Sequence, residues 1–165
     1  MSDTWVADAS PVITLAKAGQ LNLLTPADSE LLLPEAVVAE ILAGPASDPA
    51  RQALEAGWGH RVSPRSMPTP VLEWSLGAGE TSVLAIALEH AGSVAILDDA
   101  EARMCARTLG VPCIGTLGVV LRAKQSGHIP SAATVLRALR AAGLFLDDTL
   151  LKKALQCAVG EPWDH

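Results

Sequence analysis

Val94-Ala95-Ile96-Leu97-Asp98-Asp99 is the stretch whose reading decides the fold. Four apolar residues, bounded by Ser93 and two acids, read as a short and fully buried strand. In an open α/β sheet, ligand sites lie just beyond the carboxyl ends of the strands. A carboxylate pair at that position is therefore either a site or a helix cap. Asp8, Glu40 and Glu80 stand at places from which they can converge on it.

Working outward, Gly77-Ala78-Gly79-Glu80 leads into a helix from about Glu80 to His90, with Val83, Leu84, Ala87 and Leu88 apolar and Gly92 as its stop. On the other side, Ala100 to Leu109 reads as a helix closed by Gly110, and Val111 to Gly115 as another short strand. Thr116 to Gln125 is helical and ends at Gly127. Toward the N-terminus, Thr4 to Ala7 reads as a strand ending at Asp8, followed by a helix with Ser10 as N-cap and Pro11 at its first position. Leu21 to Leu24 is open between a helical turn and a strand.

Leu31-Leu32-Leu33 is a second buried strand, and Glu35 to Leu42 a helix whose inner face is Val37, Val38 and Ile41, with Glu40 beside that stripe. A short helix over Arg51 to Ala56 and an edge strand at His60 to Val62 follow, then a proline-rich irregular stretch from Ser63 to Pro70. Ser131 caps a helix over Ala132 to Ala142, either Asp147 or Asp148 caps a last helix to about Val159, and Glu161 to His165 read as a loose tail. Short strands separated by helices indicate an α/β fold with a central, mainly parallel sheet. The expectation is a single domain over 1–165, with its core at about 5–158 and a tail at 160–165.

Composition narrows the function classes. The 165 residues are 50% hydrophobic with a mean hydropathy of +0.32, which argues for a generous core and against disorder. No apolar run approaches the roughly 20 residues a membrane helix needs, and the opening Met-Ser-Asp-Thr-Trp lacks a secretory pattern. Cys105, Cys113 and Cys157 show no paired spacing, which argues against disulfides and zinc and makes a cytoplasmic protein the expectation. The net charge of −6 argues against tight, non-specific nucleic-acid binding. Its distribution is uneven: residues 1–100 carry four basic and thirteen acidic residues, residues 101–165 eight basic and five acidic. An acidic centre beside a modestly basic surface suits a metal-dependent enzyme acting on a phosphate polymer, and an uneven solvated surface accounts for the charges equally well.

Each acid also has an ordinary explanation. Asp8 is a turn-forming residue at a strand end, Glu40 a solvated helix side chain, and Glu80 a first-turn acid favoured by the helix dipole. Asp98 and Asp99 both precede a helix, but one cap needs one Asp, and adjacent like charges call for a cation or a shifted pKa. Hard divalent cations take oxygen ligands, and Mg²⁺ sits on a few carboxylates while keeping waters for substrate phosphates. Three or four acids meeting at strand ends are sufficient for such a centre. Ser10 and Thr116 follow strands near it and can hold a water or phosphate, or serve as caps. The four histidines show no ligand-like spacing, Cys105 reads as core, and no phosphate-loop or dinucleotide glycine motif is present.

In order, the acidic segments resemble the PIN-domain family. Val6-Ala7-Asp8-Ala9-Ser10-Pro11-Val12-Ile13 is similar to its opening strand and first acid, and Pro34-Glu35-Ala36-Val37-Val38-Ala39-Glu40-Ile41 to its second acidic segment. Gly77-Ala78-Gly79-Glu80 resembles the third, and Ile96-Leu97-Asp98-Asp99 followed by Ala102-Arg103 the fourth. Gly115 to Leu121 and Lys124 to Pro130 match a PIN-related prokaryotic subfamily with toxin-like ribonuclease character. The resemblance implies a three-layer α/β/α sandwich and a Mg²⁺ or Mn²⁺ centre. It implies a single-strand-specific ribonuclease, a role as the toxin of a toxin–antitoxin pair with a cognate antitoxin partner, and a homodimer. Carried over, Asp8, Glu40, Glu80 and Asp98 are the catalytic acids that hold the metal, with Asp99 a fifth acid or a substitute for Asp98; the expectation is that Asp98 faces inward and Asp99 is left to cap the helix. Arg103, one helical turn on, reaches either the substrate phosphate or a neighbouring acid. The third acid is Glu where the family more commonly has Asp, and one Phe, no Tyr and four Trp leave little for base stacking.

The leading expectation is a metal-dependent endoribonuclease cleaving single-stranded RNA. The alternative is a non-catalytic PIN-fold module acting through protein partners. A phosphatase-like hydrolase with Asp98 as nucleophile ranks below both, because that class places its Asp pair on the first strand.

Overall fold

The computed structural model describes residues 3–164. β1 (Asp3–Ala7) occupies the middle of a five-stranded, all-parallel sheet. It is flanked on one side by β2 (Ser29–Pro34) and then β3 (His60–Val62), on the other by β4 (Val94–Ile96) and β5 (Cys113–Ile114). The register pairs Trp5 with Leu31 and Val94, and Val6 with Leu32 and Ala95. Val6, Ala7, Leu31, Leu32, Leu33, Ala95 and Ile96 are all buried, as parallel strands covered on both faces require. The fold is the expected three-layer α/β/α sandwich, with helices α1 (Ala9–Lys17), α2 (Glu35–Leu42), α3 (Pro49–Glu55), α4 (Thr69–Leu72), α5 (Ala78–Glu89), α6 (Ala100–Thr108), α7 (Thr116–Gln125), α8 (Ala132–Ala141) and α9 (Asp148–Ala158). No helix among the described residues is long and apolar enough to cross a membrane.

The strand order β3-β2-β1-β4-β5 reverses direction between β1 and β4. Open α/β sheets present their ligand crevice at such a switch point, beyond the carboxyl ends of the strands. Asp8 follows β1 there, and Asp98 follows β4.

Several local expectations change. The strand at 94–98 is shorter than its apolar run: Leu97 donates to the Ile114 carbonyl at 2.9 Å, but β5 ends at Ile114 and the chain then turns into α6. Leu21–Leu24 forms a 3₁₀ turn. The proline-rich stretch gives way to the short α4, which starts at Thr69 with Pro70 in its first turn. Ser10 does not cap α1, since the helix starts one residue earlier at Ala9 and Asp8 holds the cap position. In α5, Thr81 to Ala87 are all buried, whereas Leu88 is 39% exposed. A helix buried nearly all round has no single apolar stripe.

The C-terminal tail is docked through Glu161 and Trp163, and His165 lies outside the described residues. Trp163 is buried, donates from Nε1 to Asp148 Oδ1 at 3.0 Å, and lies under the guanidinium groups of Arg137 and Arg140, 5.3 and 5.1 Å from its ring centroid. Glu161 accepts hydrogen bonds from Ser131 Oγ (2.7 Å) and the amides of Ala132 (2.8 Å) and Ala133 (3.4 Å). Those amides open α8 and have no partner within it. Burial opposes the charge on Glu161, but these hydrogen bonds and Lys124 together hold its carboxyl below the usual range. Thus the tail supplies α8 with an acceptor that Ser131 alone does not.

Candidate metal centre

Asp8 has extended backbone angles at the cap position of α1 (φ −80°, ψ 168°), yet its side chain makes no capping hydrogen bond to that helix. Its amide instead donates to the Ile96 carbonyl at 3.1 Å, which ties the end of β1 to the end of β4. The carboxyl group is buried and pushed up to about 6, first by burial and then by the charges of Glu80, Glu40 and Asp98, with the Ala9 amide opposing. Those charges come from three other segments of the chain. The charges at positions 40, 80 and 98 therefore reach Asp8, although among the described residues no three acids meet at one point.

Gly79 leaves room for Asp8 and Glu40 to approach one another. A Cβ on it would stand 3.0 Å from Asp8 Oδ1, 3.1 Å from Glu40 Oε2 and 3.4 Å from Val37 Cγ2. The two carboxylate oxygens thus lie within about 6 Å of one another across the Gly79 backbone. This glycine is required for space rather than for its backbone conformation. Asp8, Glu40, Gly79 and Glu80, with Ala36, Ala39, Gly77 and Ala78, line a cleft of about 550 Å³. Glu40 is exposed at its rim, on the helix face next to the buried Val37–Val38–Ile41 stripe. Glu80 Oε2 accepts from the Gly77 amide at 3.3 Å. Its carboxyl is raised above the usual range, first by burial and then by the charge of Asp99, with Glu40 and Glu101 adding to it.

Asp98 and Asp99 take different work. Asp99 caps α6 by accepting from the Ala102 amide at 2.9 Å. Asp98 turns the other way and accepts from the Thr116 amide (2.8 Å) and the Thr116 hydroxyl (2.7 Å). It thereby satisfies the first amide of α7, where the helix dipole favours an anion. Gly115 leaves room for this contact, because a Cβ there would meet Asp98 Oδ1 at 3.0 Å. Thr116 is fully buried, so the hydroxyl expected to meet substrate is already donated to Asp98. Arg103 is partly buried beside this junction, its Nη1 3.7 Å from the same Gly115 Cβ position, while its buried Nε has no hydrogen-bond partner. Ser10 is exposed on the first turn of α1, is not part of the cleft wall, and accepts the Thr14 hydroxyl through its carbonyl at 2.9 Å.

Sequence reading missed that Thr116 and Gly115 hold Asp98. The signal available was the Gly-Thr pair that ends one strand and opens the next helix. Among the described residues, none of Asp8, Glu40, Glu80 and Asp98 forms an ion pair with a Lys, Arg or His. One buried carboxylate, two half-buried and one exposed, none with a cationic partner, suit a hard cation chemically, because all of the donors are oxygen. Among the described residues no three of these acids close on one point as a complete ligand set. That is compatible with a cation held by one or two carboxylates, with water and substrate oxygens completing its shell.

A family model described as a PIN domain matches residues 4–160. No curated protein matches the chain. PIN domains are a nuclease-type fold that typically uses divalent metal ions, in agreement with the parallel sheet and with acids at its switch point. The chain belongs to the PIN-domain family.

Proposed function

We propose that the protein is a divalent-metal-dependent endoribonuclease that cleaves single-stranded RNA and serves as the toxin of a toxin–antitoxin pair. The observation that carries this reading is Asp8: a buried acid at a helix cap position that makes no capping bond, raised to about 6 first by burial and then by the charges of acids from three other segments. An uncapped helix start forgoes about 1 kcal/mol, and the crowding of charge costs more. An arrangement this unfavourable in the bare protein is explained by a cation.

Asp8 and Glu40 present oxygens across Gly79, and Asp98, held by Thr116, sets the negative field from the other side of β1. Mg²⁺ or Mn²⁺ bound there supplies Lewis-acid stabilisation of phosphate charge and lowers the pKa of a coordinated water. Asp8 would be held there as the carboxylate, because a cation beside it favours the ionised form that burial and the neighbouring acids disfavour in the bare protein. Glu80, whose carboxyl is raised, stands in the same cleft as the proton carrier. Arg103 supplies positive charge toward the scissile phosphate, and Ser10, exposed outside the cleft wall, offers a hydroxyl to the RNA strand beyond it. The protein acts as one domain and as a homodimer, in the cytoplasm, with an antitoxin as its inhibitory partner.

The test is cleavage of an end-labelled single-stranded RNA with Mn²⁺. Cleavage disappears on chelation and falls by roughly 100-fold or more in Asp8→Asn and Asp98→Asn. Undiminished cleavage by both variants would show that the centre is elsewhere. Growth arrest on induced expression, relieved by the same substitutions and by the product of a neighbouring small reading frame, tests the toxin role.

A second reading, a PIN-fold interaction module without catalysis, draws on the absence of a three-acid ligand set among the described residues. Absence of both Mn²⁺ binding and cleavage across varied RNAs selects it.

A further inference from the structure

Phe145 is the chain's single phenylalanine, and it is 91% exposed in the link between α8 and α9. Its neighbours Leu144 and Leu146 pack against the core, which leaves the ring between them turned outward. The backbone is braced on both sides of it. The Leu144 amide donates to the Leu139 carbonyl at 3.0 Å, and Asp147 caps α9 by accepting from the Leu150 amide at 3.1 Å. The Arg140 guanidinium donates to the Leu146 carbonyl at 2.6 Å, pairs with Asp148 at 2.7 Å and lies 5.1 Å from the Trp163 ring centroid. A ring presented on a fixed backbone loses little conformational freedom when it binds.

The topology puts this link at the end of the molecule that carries the acids. α7 starts at Thr116, which holds Asp98, and runs away from that end. At the far end of α7, Lys124 Nζ donates to the Pro130 carbonyl (2.8 Å) and Gln125 Nε2 to the Ala158 carbonyl (3.2 Å). These bonds tie the start of α8 and the end of α9 to the end of α7. α8 therefore runs back toward the level of Thr116, packed against α7 and against α1, which begins directly after Asp8. The link also belongs to the more basic part of the chain, and Arg137, Lys152 and Lys153 are exposed on the two helices that it joins. A phosphate backbone is attracted on this side and repelled by the acidic first hundred residues.

We propose that Phe145 is a stacking platform for a base of the single-stranded RNA substrate, beside the scissile phosphate. This rests on the ribonuclease reading above and adds where the strand is gripped. Every base has an apolar face, so one exposed ring holds single strands of any sequence, whereas the bases of a duplex offer no free face. A ring outside the cleft binds substrate and transition state equally, so it acts on KM and not on kcat.

The test uses Phe145→Ala, Phe145→Leu and Phe145→Trp, each with the parent's thermal midpoint as the check on folding. Affinity for a fluorescein-labelled single-stranded RNA is read by anisotropy in the presence of a chelator. Phe145→Ala and Phe145→Leu bind about tenfold more weakly than the parent, and Phe145→Trp binds at least as tightly. A duplex of the same sequence binds to all four proteins alike. With Mn²⁺, the KM of Phe145→Ala rises about tenfold while kcat stays within about twofold. Unchanged affinity and KM in Phe145→Ala, beside a parent that cleaves, overturn the inference and leave the ribonuclease reading standing. A parent that neither binds nor cleaves single-stranded RNA overturns both. Parent affinity in Phe145→Leu overturns stacking. A changed oligomeric state of Phe145→Ala in light scattering, with RNA affinity unchanged, assigns the ring to a contact between protein chains and overturns the inference.

Discussion

Asp8 and Asp99 hold the same position relative to α1 and α6, yet only Asp99 caps its helix. Asp8 lines the cleft with its carboxylate, where burial and three other acids, opposed by the Ala9 amide, raise it from 3.8 to about 6. The folded protein therefore binds this proton more tightly than the unfolded chain between pH 4 and 6. Stability from this group is greatest at low pH and is lost as the pH rises through that window, a difference of about 3 kcal/mol. Asp8→Asn removes the titration, so it raises the stability of the metal-free protein at pH 8 by up to about 3 kcal/mol and changes it little at pH 3.5. Urea unfolding at the two pH values measures this, and a pH-independent effect would contradict it. Gly79→Ala probes the same crowding sterically. Its Cβ meets oxygens of Asp8 and Glu40 at 3.0 and 3.1 Å, so the acids must separate although alanine suits a helix. Cleavage is expected to fall about 100-fold while the far-ultraviolet circular dichroism is unchanged. Activity near the parent level would mean that the separation of these two acids does not matter.

At the scale of elements, β4 and the turn after it divide two adjacent aspartates between two helices, Asp99 to α6 and Asp98 to α7. Asp99→Ala loses a cap and is expected to cost about 1 kcal/mol, seen as a lower midpoint in urea, while cleavage stays within a fewfold of the parent. Thr116→Val keeps the amide bond to Asp98 but removes the hydroxyl from a fully buried position. It is expected to cost about 2 kcal/mol, the scale of a hydrogen bond to a charged group, and to slow cleavage by loosening Asp98. If Asp99→Ala abolishes cleavage and Thr116→Val leaves it intact, the roles of the two acids are reversed. Which elements were legible in the sequence follows the same physics. The apolar runs at Leu31–Leu33 and Val94–Leu97 are unmistakable strands, because a parallel sheet covered on both faces needs every position apolar. The helix at Thr116–Gln125 was read with its full bounds, between a strand and a positive-φ Gly127. The start of α1 was misread, because Ser10-Pro11 has the composition of a cap while tertiary contacts place the turn at Asp8. The order of the acids was legible, and so was Asp99 as the cap of α6, but the hold of Thr116 on Asp98 was not. Thr116 lies eighteen residues beyond Asp98, and the strand β5 that brings them together is only two residues long.

Across the whole molecule, the chain divides into an acidic first hundred residues that carry the strands β1 to β4 and the four acids, and a more basic remainder that closes over itself. The tail is part of that closure. Glu161 holds the start of α8, and Trp163 is buried against Arg137, Arg140 and Asp148. Apolar composition could not announce this, because one tryptophan among Glu, Pro, Asp and His reads as loose chain. Trp163→Ala is expected to lower stability by about 3 kcal/mol, with thermal unfolding as the readout. An unchanged midpoint would mean that the tail contributes nothing to α8 and α9. The central claim concerns the carboxyl ends of the strands: the acids at the end of β1 and their neighbours form a cation site on which nuclease activity depends. Calorimetric titration of Mn²⁺ into the parent protein and into Asp8→Asn at pH 7.5 tests it most directly. Saturable binding to the parent that is lost in Asp8→Asn is the expected result, and binding that is absent from the parent or equal in the two proteins would contradict it.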